Sequence, residues 1–337
     1  MEQTVVGDTG LVIRPFTAED VHGVWQLGLR CFDPRERISI AKEVWRYVNT
    51  PAGVIPGSVA VDGDRIVASY TAWPVTLCMG EDRVKGAQVV VVMTDPDYRN
   101  QGLSVKLGLD CLERMKREGY EVVYCFPNDV GYPGHMRRVQ WAHIGDVRIL
   151  KRLIPPVPGW LDPMPFTIRA KPIASTQRHY LIADDNMVQP DTLVSIAARR
   201  HLRGIHLQRD AAWFNWRYWP GGLHVYQTLI VRTSDQPVAA ITYHTDGDRL
   251  VIAETLGDTD ALLAGVNALI EQARSRDIRV MTALTTDQDV INVLRCCGFW
   301  FRGHEHFIVK LLSDRIQQYN PYALENWKLF GGDHDFY

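Results

Sequence analysis

The tightest constraint on the fold is the stretch Gly86 to Met93, with Val89-Val90-Val91-Val92 at its centre. Four consecutive β-branched residues restrict side-chain freedom in a helix, and an unbroken apolar run leaves no polar face, so the segment reads as a strand covered on both sides. The residues after it constrain the fold as much. Thr94-Asp95-Pro96-Asp97-Tyr98 is a turn, and Arg99-Asn100-Gln101-Gly102-Leu103-Ser104 then opens a helix. Apolar Val105, Leu107, Leu109, Leu112 and Met115 recur at mostly helical spacing, and Gly119 stops the helix.

The first amides of a helix have no partner within it and lie at the positive end of its dipole, so they favour a bound anion. Gly102 lets that backbone approach phosphate oxygens, and a pyrophosphate fits such a nest. Taken alone, an arginine and a glycine three residues apart fit a plain helix cap equally well.

The rest of the first half builds a sheet around this unit. Leu11 to Arg14 is a strand, and Thr17 caps a helix running to about Cys31. A second helix covers Ile38 to Val48, and Asp62-Gly63-Asp64 joins strands Ser58–Val61 and Arg65 to about Thr76. Glu121 to Phe126 makes a further strand. Six prolines between Ile154 and Pro172 exclude helix and central strand, marking a linker.

At 337 residues two domains are expected, and the reading is residues 1–154, a linker at 155–178, and residues 179–337. The second half repeats the order of the first: strands Leu223–Val231, Val238–His244 and Leu250–Leu256, a helix Asp260–Arg274, the strand Arg279–Ala283, a helix Gln288–Cys297, and a strand Phe307–Leu311. No residue-level repeat accompanies that order.

Strand, loop and helix together resemble the central motif of the GNAT acyltransferase superfamily, whose loop reads Arg/Gln-x-x-Gly-x-Gly/Ala. Arg99 and Gly102 match, and Ser104 replaces the usual small residue. The resemblance covers the first half to about Arg152. It implies an α+β fold of two GNAT-like mixed-sheet domains in tandem, with acyl-CoA as co-substrate and no metal. Its pyrophosphate would lie on Arg99, Asn100, Gln101, Gly102, Leu103 and Ser104. The pantetheine arm would follow the strand end Val92-Met93-Thr94 and contact Asn128. The tyrosine that protonates the thiolate in several family members is replaced by Met136, one turn before Trp141.

Amine attack on a thioester needs a base for the amine and benefits from a proton donor for the thiolate. Tyr132, His135 and His143 cluster in sequence near the expected thioester, with Asp129 close by. His135 is the preferred base and Tyr132 the preferred acid, with packing of Tyr132 on Pro133-Gly134 as the alternative. His143, Arg137 and Arg217 are acceptor-binding candidates, Arg137 and Arg138 as phosphate forks or as a solvated helix face. The aromatic run Trp213-Phe214-Asn215-Trp216-Arg217-Tyr218 is a stacking platform or a core helix. Glu254 to Asp260 stands where a second phosphate loop would be. Its acids would repel phosphate, so the second copy lacks a coenzyme loop and shapes the acceptor pocket. The segment Trp327 to Tyr337 is too aromatic for a free end and folds back onto the body.

The layout looks like the tandem-domain enzymes that acylate nucleotide-linked (dTDP- or UDP-) amino sugars for bacterial polysaccharides such as lipopolysaccharide. Two rivals stand beside this reading: an N-acetyltransferase of a small amine or aminoglycoside, and a non-catalytic CoA-binding or regulatory module. Lys+Arg 37 against Asp+Glu 39 removes the basic field of a nucleic-acid binder. No stretch reaches a membrane span, the N-terminus lacks a basic and apolar leader, and six scattered cysteines read as reduced core thiols, so a cytoplasmic location is the default. A homodimer is compatible with the sequence.

Overall fold

A computed structural model describes residues 4–6, 10–155, 180–218, 222–234 and 236–335. The chain divides into two compact units, Met1–Gly145 with His306–Leu324, and Asp146–Glu305 with Glu325–Tyr337. This partition is not the linear one expected at residues 154 and 179, because a late segment of the chain joins the first unit. From residue 156 onward the expected linker lies outside the described residues.

The first unit contains β1 (Thr4–Val6), β2 (Leu11–Pro15), α1 (Val21–Cys31), α2 (Ile40–Tyr47), β3 (Gly57–Asp62), β4 (Arg65–Met79), β5 (Asp82–Thr94), α3 (Leu103–Arg117), β6 (Val122–Cys125), α4 (Tyr132–Arg137) and the start of β7 (Ala142–Leu153). β1 to β5 pair antiparallel in chain order, and β6 joins β5 in parallel. Residues Ile308 to Leu311 then pair antiparallel with β6. The Asp62–Asp64 hairpin forms as expected, with Gly63 at φ +56° supplying the left-handed turn. α3 buries Leu103, Leu107, Cys111 and Met115 at four-residue spacing against Tyr70, Ala72 and Val89 of the sheet. Each such side chain contributes roughly 1.5–3 kcal/mol of apolar burial.

The second unit contains the rest of β7, β8 (Leu181–Asp184), α5 (Pro190–Ala197), β9 (Ile205–Leu207), α6 (Ala211–Tyr218), β10 (Gln227–Thr233), β11 (Gln236–Asp246), β12 (Arg249–Gly257), α7 (Thr259–Ser275), β13 (Val280–Leu284), α8 (Gln288–Cys296) and the start of β14 (Trp300–Leu311). β8, β10, β11 and β12 pair antiparallel, β13 joins β12 in parallel, and β7 joins β13 antiparallel. α7 and α8 cover one face through Leu262, Val266, Leu269, Val293 and Leu294. The mixed α+β order of the first half is thus repeated.

The aromatic run is α6, and Trp213, Phe214 and Trp216 are buried, which fits the core-helix alternative. All six cysteines are free thiols, four of them buried. Among the described residues no helix is long and apolar enough to cross a membrane.

Candidate active site

The four-valine strand, β5, ends in a wedge. It pairs with β6 only from Gly86/Val122 to Val89/Cys125. Just beyond, its register with β4 breaks between Ser69 and Thr71, skipping Val91 and Val92. Val91 sits at φ +48°, a left-handed conformation that a β-branched residue adopts at a cost on the order of 1–3 kcal/mol. The Thr71 hydroxyl donates to the Val90 carbonyl at 2.8 Å and pins the bulge. Val92, Met93 and Thr94 therefore continue past the last β6 pair, with Met93 and Thr94 back in register with Ser69 and Ala68 of β4 and the β6 ladder already ended.

Asp95 fixes the turn after β5. It is 1% exposed, accepts from Arg30 and Arg65 at 2.6 Å each, and accepts the Asp97 amide at 3.2 Å. Burial opposes its ionisation, but the two guanidinium bonds outweigh burial and hold its carboxyl below the usual range. Arg99 reaches back to the Thr94 carbonyl at 3.4 Å. Asn100 at φ +65° and Gly102 at φ +73° are both left-handed, so the chain folds into a concave turn ahead of α3. Among the described residues the first helix amide with a backbone acceptor is Lys106, bonded to Gly102 O at 3.1 Å. The amides of residues 101–105, with Leu103 and Ser104 in the first turn, form the cradle. A Cβ placed on Gly102 would lie 3.8 Å from Nη1 of Arg138, so that exposed guanidinium adds a cation to the cradle. Arg137 is also exposed.

Asn128 lies just after β6. Its side chain accepts the Gly131 amide at 2.8 Å and its carbonyl accepts the Tyr132 amide at 2.9 Å, which starts α4. Tyr132 and His143 meet edge to face, with centroids 5.6 Å apart. A residue that sequence reasoning missed joins them. His306 lies 4.5 Å from the Tyr132 ring and 5.7 Å from the His143 ring, and its Nε2 is 3.4 Å from Oδ1 of Asp129. Its distance from these residues in sequence hid it.

His135 is elsewhere. It is 7% exposed, its ring meets Tyr70 at 5.9 Å and Trp141 at 5.4 Å, and burial pushes it down to about 4. A neutral imidazole inside the α3 core is a poor acceptor for a substrate proton at neutral pH. Met136 packs beside the same core.

The second unit shows why its copy lacks a cradle. β12 runs to Gly257 and α7 begins at Thr259, leaving Asp258 alone where the first unit has residues 95–102. Asp258 is paired with Arg199 at 2.7 Å. Glu254 lies inside β12, as the expected strand Leu250–Leu256 has it, and is 1% exposed, so of the acidic segment only Asp258 to Asp260 falls beyond the strand. Arg217 is fully buried and donates to Gly332 O at 2.9 Å, Tyr226 hydroxyl at 2.7 Å and His334 O at 2.8 Å. Its guanidinium is engaged by its own chain, not turned to an acceptor.

Residues 12–144 match the family described as Acetyltransferase (GNAT) domain. A GCN5-related N-acetyltransferase from Kribbella flavida is similar at TM-score 0.58 and 16% identity, covering 89% of this chain and 72% of that one. A tandem GNAT protein from the clavulanic acid biosynthesis pathway is similar at TM-score 0.56 and 13% identity, covering 90% of this chain and 99% of that one. Saccharomyces cerevisiae N-myristoyltransferase with bound myristoyl-CoA is similar at TM-score 0.60 and 12% identity, covering 90% and 80%. No curated protein matches the sequence. The GNAT match covers under half of the 337 residues, and over most of its length the chain is similar in fold to solved GNAT structures, a tandem form among them.

Proposed function

We propose that the chain transfers an acyl group from acyl-CoA, held along the first unit's wedge, to the amine of an amino sugar, in its nucleotide-linked form. The observation that carries the reading is the meeting of an opened strand pair beyond Val89 with a cradle of amides at Gly102 in one unit. A pyrophosphate on the cradle, with Arg99 and Arg138 beside it, directs the pantetheine toward Val92, Met93 and Thr94, where the strand's edge toward β6 is past its last pair and suits the arm's two amide groups and the developing oxyanion.

The amine nitrogen attacks the thioester carbonyl, the C–N bond forms, and the C–S bond breaks as the tetrahedral centre collapses. His306, oriented by Asp129, takes the amine proton, and Tyr132 donates a proton to the departing thiolate. This assignment replaces His135, whose buried ring suits packing. Tyr132, His143 and His306 offer several neutral donors and acceptors, the complement of a hydroxylated ring, and exposed Arg137 offers a fork for an acceptor phosphate.

The test is thiol release from acetyl-CoA with a panel of UDP- and dTDP-amino sugars, polyamines and aminoglycosides, with products identified by mass spectrometry. N-acylation of a nucleotide-linked amino sugar is the expected result. Turnover confined to polyamines or aminoglycosides would refute the sugar reading. No CoA binding at millimolar concentration would refute every acyltransferase version.

A further inference from the structure

The second unit repeats the wedge of the first. β12 pairs in parallel with β13 from Arg249/Val280 to Ile252/Ala283. Directly beyond, its register with β11 breaks between Thr242 and Tyr243, skipping Ala253. In the first unit the break likewise comes just past the last parallel pair, Val89/Cys125. The strand ends that open here are Ala253-Glu254 on one side and Thr285-Thr286 on the other.

The segment Trp327 to Asp335 bonds to the second and packs against the first. On the β13 side Phe330 forms an antiparallel bridge with Thr285. The Thr286 amide donates to Leu329 O at 3.1 Å, the Leu329 amide donates to the Thr286 hydroxyl at 2.9 Å, and that hydroxyl donates to Trp327 O. On the β12 side Gly332 is so close to Ala253 that an added Cβ would stand 3.4 Å from its carbonyl and would overlap the Tyr218 hydroxyl. Two buried cations hold the segment down. Arg209 bridges Glu254 at 3.1 Å and Asp333 at 2.7 Å, and Arg217 binds the carbonyls of Gly332 and His334. Trp327 and Leu329 are fully buried and Phe330 is 2% exposed.

We propose that the segment Trp327–Asp335 is a permanent occupant of the second wedge, bonded by its backbone to the β13 end and filling the space beside the β12 end that a coenzyme arm would otherwise take. Extended peptide and pantetheine both present amide N–H and C=O groups to an unpaired strand end, so one replaces the other. The lone Asp258 at the start of α7 removes the phosphate cradle at the same place. The chain therefore takes one coenzyme, and the second unit is closed to it. The stoichiometry rests on the reading of the first wedge as the coenzyme channel, whereas the occupancy rests on the contacts of the segment alone.

Two measurements on the full chain test this. Titration calorimetry with CoA should give one site per chain, and two sites would overturn the proposal. Hydrogen exchange of the unliganded protein should show the amides of Leu329, Phe330 and Asp333 protected like those of β12. Exchange at the rate of unstructured peptide would overturn it. Gly332→Val, or Arg217→Gln should the first variant fail to fold, should lower protection of the segment about a hundredfold while CoA still binds one site. If either variant exchanged like the wild type, the clamp would be refuted. Failure of CoA to bind at all would remove the reading of the first wedge, and the exchange result would then carry or overturn the plug by itself.

Discussion

Replacing Gly102 with alanine separates a coenzyme cradle from an ordinary helix cap. The residue sits at φ +73°, where a side chain costs about 1–2 kcal/mol for a non-glycine residue. Its added Cβ would meet nothing nearer than Nη1 of Arg138 at 3.8 Å, an ordinary contact, so no clash adds to that conformational cost. The unliganded protein should therefore remain folded and melt about 2–8 °C lower, at about 2–4 °C for each kcal/mol in a unit of this size. Binding should suffer more than stability. The methyl group lies on the concave side where phosphate oxygens must approach the amides, and lost charged hydrogen bonds are worth about 1.5–3 kcal/mol each, so the CoA Kd should rise at least about tenfold. Arg138→Ala should also weaken CoA without lowering the melting temperature, since its guanidinium is exposed. Differential scanning fluorimetry and calorimetric titration read the two effects separately. If Gly102→Ala lowered the melting temperature yet left the CoA Kd unchanged, the loop would be a cap and the case for the wedge would fail.

His306→Ala should lower kcat about a hundredfold or more with little change in the KM for acyl-CoA, and Asp129→Asn should lower kcat at an unchanged KM. His135→Leu should leave kcat nearly in place. The opposite pattern would return the base to His135. A stability measurement probes the Arg209 clamp. Burial, with the charge of Asp333 added and Arg209 opposing, pushes Glu254 up from 4.5 to about 7. A carboxyl raised on folding binds its proton more tightly in the native state, so this group's contribution to stability falls as pH rises from about 4.5 through 7 and is level above. Glu254→Gln should remove that component of the slope in urea unfolding between pH 5 and 8, and an unaltered slope would refute the assignment.

Much of the first unit was legible because its signals are local. Four valines in a row specify a two-sided strand, Asp62-Gly63-Asp64 specifies a hairpin, and of the helix pattern Val105, Leu107, Leu109, Leu112 and Met115 the structure buries Leu107, Leu112 and Met115 and leaves Leu109 exposed. Gly102 marked a helix start with an open backbone, and its left-handed φ is seen only in the structure. The short elements β8, α5 and β9 carried no comparable periodicity and were not foreseen. The choice of base was not legible, for another reason. His135 and His143 look alike in a sequence, but the α4 turn sends one into the core against Tyr70 and leaves the other beside Tyr132.

The sequence by itself determined where the turn ahead of α3 lies, since that depends on a strand, a turn, a glycine and a helix start within twenty residues. Only the tertiary structure decided its surroundings. His306 reaches Tyr132 because a late strand completes the first unit's sheet, Arg138 comes to Gly102 because α4 folds back, and Arg217 is consumed by a segment more than a hundred residues away. Long-range pairing is set by which buried backbone and charged groups must find partners in the folded chain, and no local pattern of residues encodes that choice.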